Sequence, residues 1–308
     1  MQKLIIATRK SPLALCQSEF VAEILRKTHG LKVSLEGFKT KGDALLDSPL
    51  AKIGGKGLFT KELENALLEG RAQLAVHSLK DVPSLLPSGL VLAALSKRED
   101  ARDAFLSERY ANLAALPKGA KVGTTSLRRK MQLLALRPDL QILPLRGNVN
   151  SRLERLKSVE FDAIVLAMAG VKRLGLEGAV KFIAPFSKDE LVPAAAQGIL
   201  GIEARDEGEI LALLECLNDE EAMIESMIER EFVRVLEGGC QAPIGINAEF
   251  SGGQITVRAV LGLPDGSEIL REKKVLSKSE VVGFGAKLAD EFLEQGAREL
   301  LKRAEAML

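Results

Sequence analysis

Short apolar runs that each end on polar or charged residues, with stretches of helical period between them, constrain this chain more than any other feature. KLIIA (residues 3–7) is followed at once by Thr8 and Arg9. Ser11-Pro12 then opens a helix, with Ser as N-cap and Pro in the first turn. Leu13, Phe20, Val21, Ile24 and Leu25 recur at helical spacing, and Gly30 ends the segment. The pattern predicts a second strand over 32–38, a helix over 58–68 closed by Gly70, and a third strand over 73–76. The rhythm restarts near residue 100, with strands over 121–123, 141–145 and 162–168 and a helix over 126–136 that stops before Pro138. Strands alternating with helices build parallel α/β layers. LSKRED (95–100) reads as a polar joint between two such layers, and LVPAAAQG (191–198) as a return crossing.

The tail changes character after Gly238-Gly239. Segments 244–250, 254–262 and 267–275 read as successive strands, the last two joined through Pro264-Asp265-Gly266, and an amphipathic helix runs from about Ser279 to the end. That order predicts a small α+β domain. The expected division is therefore domain 1 over 1–97, completed by 193–215, domain 2 over 98–192, and a C-terminal domain over 216–308.

Composition narrows the function classes. A chain of 308 residues is long enough for several cores, and 46% hydrophobic residues exclude a disordered chain. No apolar run reaches the roughly 18 residues of a membrane span, and the opening MQKLIIATRKSP lacks a signal peptide's apolar stretch, so a cytoplasmic protein is expected. Three Cys suit a reducing compartment better than a disulfide framework. The net charge of +1, with no Trp and one Tyr, argues against a nucleic-acid partner. That balance is a cancellation of distant parts. Residues 121–155 hold eight Lys/Arg against two acids, whereas 203–231 hold two Arg against eleven acids, expected on solvated helix faces.

The chemistry collects after the predicted strands. Arg9 and Ser11 follow the first, Lys80 and Asp81 follow AVHSL, Thr124, Thr125, Ser126, Arg128 and Arg129 follow KVG, and Arg146, Asn148 and Arg152 follow ILPL. Ligands of open parallel sheets bind outside the carboxyl ends of the strands, so these residues are expected to converge on one cleft. The hydroxyls at 124–126 also start a helix, whose free N–H groups favour an anion. Several Arg grip carboxylates or phosphates equally well, so a polyanion is implied and its kind is left open.

Asp81 lies between a strand end and Pro83. A carboxylate there either stabilises a cation and passes protons, or pairs with Lys80 or caps a turn. His77 is expected to be packed or hydrogen-bonded, and His29 to be a charge partner at a helix end. Gly54-Gly55-Lys56-Gly57 resembles a phosphate cradle but lacks Walker A spacing, and reads equally as a mobile loop carrying one Lys, with a lid over the cleft as a further alternative. Cys16 and Cys216 lie in helical patterns and are expected in the core. Cys240, in Glu-Gly-Gly-Cys-Gln-Ala-Pro, has room to be a nucleophile or an attachment point, with an incidental Cys as the alternative. No CxxC, HExxH or His/Cys cluster appears, so no metal is expected.

ATRKSPLAL, IGGKGLFTKELE, AVHSLKDVP, GTTSLRR, LRGNVNSRL, AMAGVKRLGL, PAAAQG and GGCQAPIG follow one another from about residue 7 to residue 245. In that order they resemble the porphobilinogen deaminase (hydroxymethylbilane synthase) family. The resemblance implies two periplasmic-binding-protein-like α/β domains with a cleft between them, plus a small α+β C-terminal domain. It implies a cytoplasmic monomer that joins four porphobilinogen molecules head to tail with loss of ammonia. A dipyrromethane cofactor, held by a thioether, would prime the chain, and the matching residue is Cys240. The catalytic acid falls on Asp81. Cofactor binding falls on Lys80, Asp81, Thr125, Ser126, Arg128, Arg129, Arg146 and Gly147, and substrate binding on Arg9, Ser11, Lys56, Arg146, Arg152 and Ala169. Acetate and propionate arms on each pyrrole explain local basic excess in a near-neutral chain, and Asp81 would stabilise an azafulvene-like cation. Thr125, Leu79, Ala242 and Cys16 depart from the family's frequent residues without touching a role. Two rivals remain in view. An anion-binding module would need neither Cys240 nor Asp81, and a Cys-dependent hydrolase would need a paired His.

Overall fold

The structure, a computed structural model, describes residues 3–44, 57–238 and 242–307. The chain first lays down β1 (Lys3–Arg9), α1 (Pro12–His29), β2 (Lys32–Phe38), α2 (Lys41–Ala44), α3 (Lys61–Leu68), β3 (Leu74–Ser78) and β4 (Leu90–Leu95). It continues through β5 (Asp103–Ser107), β6 (Lys121–Gly123), α4 (Leu127–Leu136), β7 (Gln141–Leu143), α5 (Val149–Lys157), β8 (Ala163–Ala167), α6 (Met168–Arg173) and β9 (Phe182–Pro185). Then come β10 (Leu200–Arg205), α7 (Gly208–Leu214) and α8 (Glu220–Val235). The last elements are β11 (Ile244–Ser251), β12 (Gln254–Gly262), β13 (Ile269–Ser277), α9 (Phe284–Glu294) and α10 (Ala297–Ala306). Two compact units result, one from residues 1–99 with 198–223, the other from 100–197 with 224–308.

In the first unit the sheet order is β2-β1-β3-β10-β4, with β1 parallel to β2 and β3 and with β10 antiparallel to both β3 and β4. Residues alternate between the two faces of β1. Leu4 and Ile6 pack with Val21 and Leu25 of α1, whereas Ala7 packs with Leu63 and Leu67 of α3. The expected caps hold α1: Ser11 Oγ accepts from the Ala14 N–H at 3.3 Å, and Gly30 closes the helix in the left-handed region at φ 65°.

The second unit repeats the order as β7-β6-β8-β5-β9, with β5 antiparallel to β8 and β9. Alternation again serves two faces. Ala104, Leu106, Ile164 and Leu166 pack with Leu153 and Leu156 of α5, while Phe105, Val122 and Val165 pack with Leu133 of α4. The same unit holds the three-stranded antiparallel sheet β11-β12-β13. Its core joins Ile246, Ala248, Val257 and Ala259 to Phe232 of α8 and Phe292 of α9, whose rings meet edge to face at 5.2 Å. The protein is thus an α/β protein of two mixed five-stranded sheets with a small α+β part at the C-terminal end.

Several expectations need correcting. Each large sheet is mixed, because β10 and β5 run against their neighbours, and neither strand stands out in the sequence pattern. The terminal helix is two helices, interrupted at Gly296 with φ 93°. Cys216 is exposed and Cys16 half-buried, so neither is a core residue. The acidic tract is not uniformly solvated: Glu203 and Glu229 are fully buried, and Glu225 nearly so.

Candidate functional site

In the first unit, Arg9 ends β1 and its guanidinium pairs with Asp43 while stacking 4.4 Å over the Phe59 ring. Asp43 also accepts from Thr40 Oγ1 at 2.8 Å. Burial pushes the Asp43 carboxyl up, but the bonds from Arg9 and Thr40 and the Arg9 charge outweigh it and hold the group below its usual range. Ser11 is committed to capping α1. Lys80 and Asp81 lie in one 3₁₀ turn, Leu79–Asp81, that follows β3 directly, and both are half-buried. The Leu79 N–H donates to Ile199 O at 3.0 Å, and a Cβ on Gly201 would meet the Leu79 side chain at 2.9 Å, so the turn rests closely on β10.

Behind that turn His77 is buried, with Nε2 2.9 Å from Glu203 Oε2. This agrees with the expectation of a hydrogen-bonded histidine. Glu203 Oε1 is buried without a partner among the described residues. Burial, reinforced by the Glu203 and Glu62 charges, pushes the neighbouring Glu64 carboxyl up.

In the second unit, the loop after β6 and the start of α4 gather Thr125, Ser126, Arg128 and Arg129. Ser126 is the N-cap, its Oγ accepting from the Arg129 N–H, and Thr125 Oγ1 donates to Leu145 O at 3.3 Å. Both arginines are buried, at 4% and 6% exposure, and both meet the fully buried carboxylate of Asp103 at the start of β5. Arg128 Nη1 donates to Asp103 Oδ2 at 2.6 Å and to Val192 O at 2.7 Å. Arg129 donates through Nε and Nη2 to Asp103 Oδ1 at 3.1 and 2.7 Å, and through Nη1 to Val165 O at 2.9 Å. Burial alone would push Asp103 up; the two guanidinium charges and their bonds hold it far below the carboxylate range. Burial in turn lowers Arg128.

Two guanidiniums share one carboxylate, which leaves an excess positive charge inside this cluster. Buried charge is costly unless paired, so the arrangement suits an incoming anion. Gly147, after β7, has φ 109°, and a Cβ there would meet Ser151 Cβ at 3.0 Å, so glycine is required. Its carbonyl accepts from Arg152 Nε at 2.8 Å, Arg146 is half-buried beside it, and Asn148 caps α5. Ala169, buried in the first turn of α6, follows β8. Cys240 and Lys56 lie outside the described residues. Among the described residues no group of three or more His, Cys, Asp or Glu could hold a metal, and no helix is long and apolar enough to cross a membrane.

Sequence reasoning missed Asp103, Asp43 and Glu203. The signal for Asp103 was an acid opening the apolar run AFL directly after the charged joint. Glu203 sits mid-strand in LGIEAR, where a charge ordinarily marks the exposed face.

Each unit is thus an α/β layer with basic side chains at or just after its strand ends, and the first also carries a half-buried acid after β3. Comparison with known proteins makes that specific. The family model described as porphobilinogen deaminase, dipyromethane cofactor binding domain, matches residues 4–212, and that of the porphobilinogen deaminase C-terminal domain matches 223–294. A porphobilinogen deaminase of Campylobacter jejuni is 68% identical over 99% of this chain and all of its own length, and one of Campylobacter lari is 64% identical over the same shares. A solved structure of the methionine-binding protein MetQ aligns with a TM-score of 0.46 at 15% identity, over 72% of this chain and 92% of that one. The chain belongs to the porphobilinogen deaminase family of enzymes.

Proposed function

We propose that the chain acts as a hydroxymethylbilane synthase. It condenses four porphobilinogen molecules head to tail, releases ammonia at each addition, and frees the linear tetrapyrrole by hydrolysis. The observation that carries this reading beyond family membership is the buried pair Arg128 and Arg129 sharing the single carboxylate of Asp103. Every pyrrole of the substrate and of a dipyrromethane brings an acetate and a propionate, which the excess positive charge fits. When bound, the dipyrromethane supplies the primer to which substrate is joined.

The chain's own residues divide the work. Cys240 holds the primer through a thioether, which resists hydrolysis where a thioester would not. Lys80, Arg128, Arg129 and Arg146 grip carboxylates. Thr125, Ser126 and the Gly147 backbone complete the cofactor contacts, aided by the positive end of α4. Arg9, Ser11, Lys56, Arg146, Arg152 and Ala169 receive substrate. Asp81 stabilises the cation left by ammonia and carries protons as the next pyrrole carbon attacks. The same reading keeps the three-domain division at 1–97 with 193–215, 98–192 and 216–308, and a cytoplasmic monomer without a nucleic-acid partner.

Intact mass of protein produced with porphobilinogen available tests it. Wild type is expected to carry the increment of a dipyrrole and Cys240→Ser none; unmodified wild type would overturn the reading.

A further inference from the structure

Asp103 is held more firmly than a simple counter-ion requires. Besides the two arginines it accepts from Gln197 Nε2 at 2.9 Å, and the same nitrogen donates to Ala101 O at 2.7 Å. That arrangement leaves Gln197 Oε1 buried and unpartnered among the described residues, which a buried acceptor rarely tolerates. The residue before it, Ala196, has φ 59°, left-handed backbone that a non-glycine residue rarely adopts. Its N–H is captured by the buried carboxylate of Glu229, which also takes the Ala248 N–H at 2.7 Å.

On the other side of the cluster, Gln132, one turn along α4 from Arg128, clamps both backbone groups of Val192 at 2.7 and 3.1 Å. Gly245 of β11 lies so close that a Cβ there would meet Val192 O at 2.9 Å and Arg128 Cδ at 3.2 Å. An unsatisfied acceptor, a strained turn and a close glycine contact persist together only where the surroundings over-determine them, and such strain collects at functional sites.

We propose that Asp103, itself fixed by Gln197, is a positioning residue: it sets the two guanidiniums side by side so that their remaining donors take the carboxylates of the dipyrromethane. The bonds that Arg128 makes among the described residues all leave from Nη1. Among the described residues nothing takes its Nε and Nη2, and Asp103 decides where they point. The inference rests on the functional reading above and concerns loading of the cofactor rather than the chemistry at Asp81.

The test compares wild type, Asp103→Asn and Gln197→Met, all prepared cofactor-free. The uptake of a dipyrrole from added porphobilinogen is followed by intact mass, and turnover is measured per loaded molecule. For each variant that melts cooperatively, loading at least tenfold slower than wild type is expected. A purely structural role would lower the melting temperature and leave the loading rate unchanged, and that result would overturn the proposal. Gln197→Met changes no charge and keeps the test decisive if Asp103→Asn does not fold; failure of both to fold assigns the cluster to stability and also overturns it. Wild type that never loads is a separate outcome: it sinks the functional reading and takes this inference with it.

Discussion

The two five-stranded sheets share one strand order, and each carries a fully buried carboxylate on its antiparallel strand, Glu203 on β10 and Asp103 on β5. The surroundings of the two acids differ. Glu203 meets one histidine and lies near Glu64, whose carboxyl burial pushes up. Asp103 meets two permanent cations, and the interior of the second unit is a fixed charge cluster. The acid that follows β3, Asp81, is half-buried on a three-residue turn, whereas the arginines after β6 are locked. One topology therefore carries two different electrostatic settings, a histidine–carboxylate contact in one unit and two arginines on one carboxylate in the other.

That contrast breaks most visibly if function and stability are separated. Asp81→Ala is expected to lower turnover by about 10²-fold or more while leaving the urea midpoint near wild type. Near-normal conversion of porphobilinogen would remove Asp81 from its role. Asp103→Ala should act the other way, on stability first. It strands two buried guanidiniums and is expected to cost about 3–5 kcal/mol, read from urea unfolding; a loss below about 1 kcal/mol would mean the cluster is solvated.

The pH dependence sharpens the comparison at smaller amplitude. Glu64 has a raised folded value, so the fold favours its protonated form and loses stability as pH rises through that value. Glu64→Gln should accordingly raise the unfolding midpoint near pH 7, with the difference vanishing below about pH 3.5, where wild-type Glu64 is largely protonated in both states. Asp103 has the opposite sign: its contribution is complete above about pH 4 and is withdrawn only as pH falls below that. A Glu64→Gln difference that grew on acidification would reverse the assignment. Smallest of all, Asp43→Ala removes a partly exposed partner of Arg9 and should change stability by about 1 kcal/mol or less. A larger loss would mean that the first unit also depends on a rigid ion pair.

Much of this was legible in the sequence. Ser11-Pro12 and Gly30 set the limits of α1, and the short apolar run KLIIA marked β1 as a buried strand, because caps and apolar runs are local properties. The residues after β1, β3, β6 and β7 were found for the same reason. β5 and β10 were not, since each pairs only with strands remote in sequence and each carries a buried acid that reads as solvent-facing. The partners of Arg128 and Arg129 were hidden too: Asp103 is 25 residues before Arg128, and no local pattern joins them.

The order of strands has a consequence for synthesis. β5 lies within the continuous stretch 100–197, so the second large sheet is complete once that stretch has left the ribosome. The first sheet must wait for β10 to be inserted between β3 and β4. Until residue 205 emerges, both of those strands present open edges, the exposed backbone that chaperones shield and that aggregation exploits. The N-terminal half of this enzyme is the first part made and the last of its two large sheets to close.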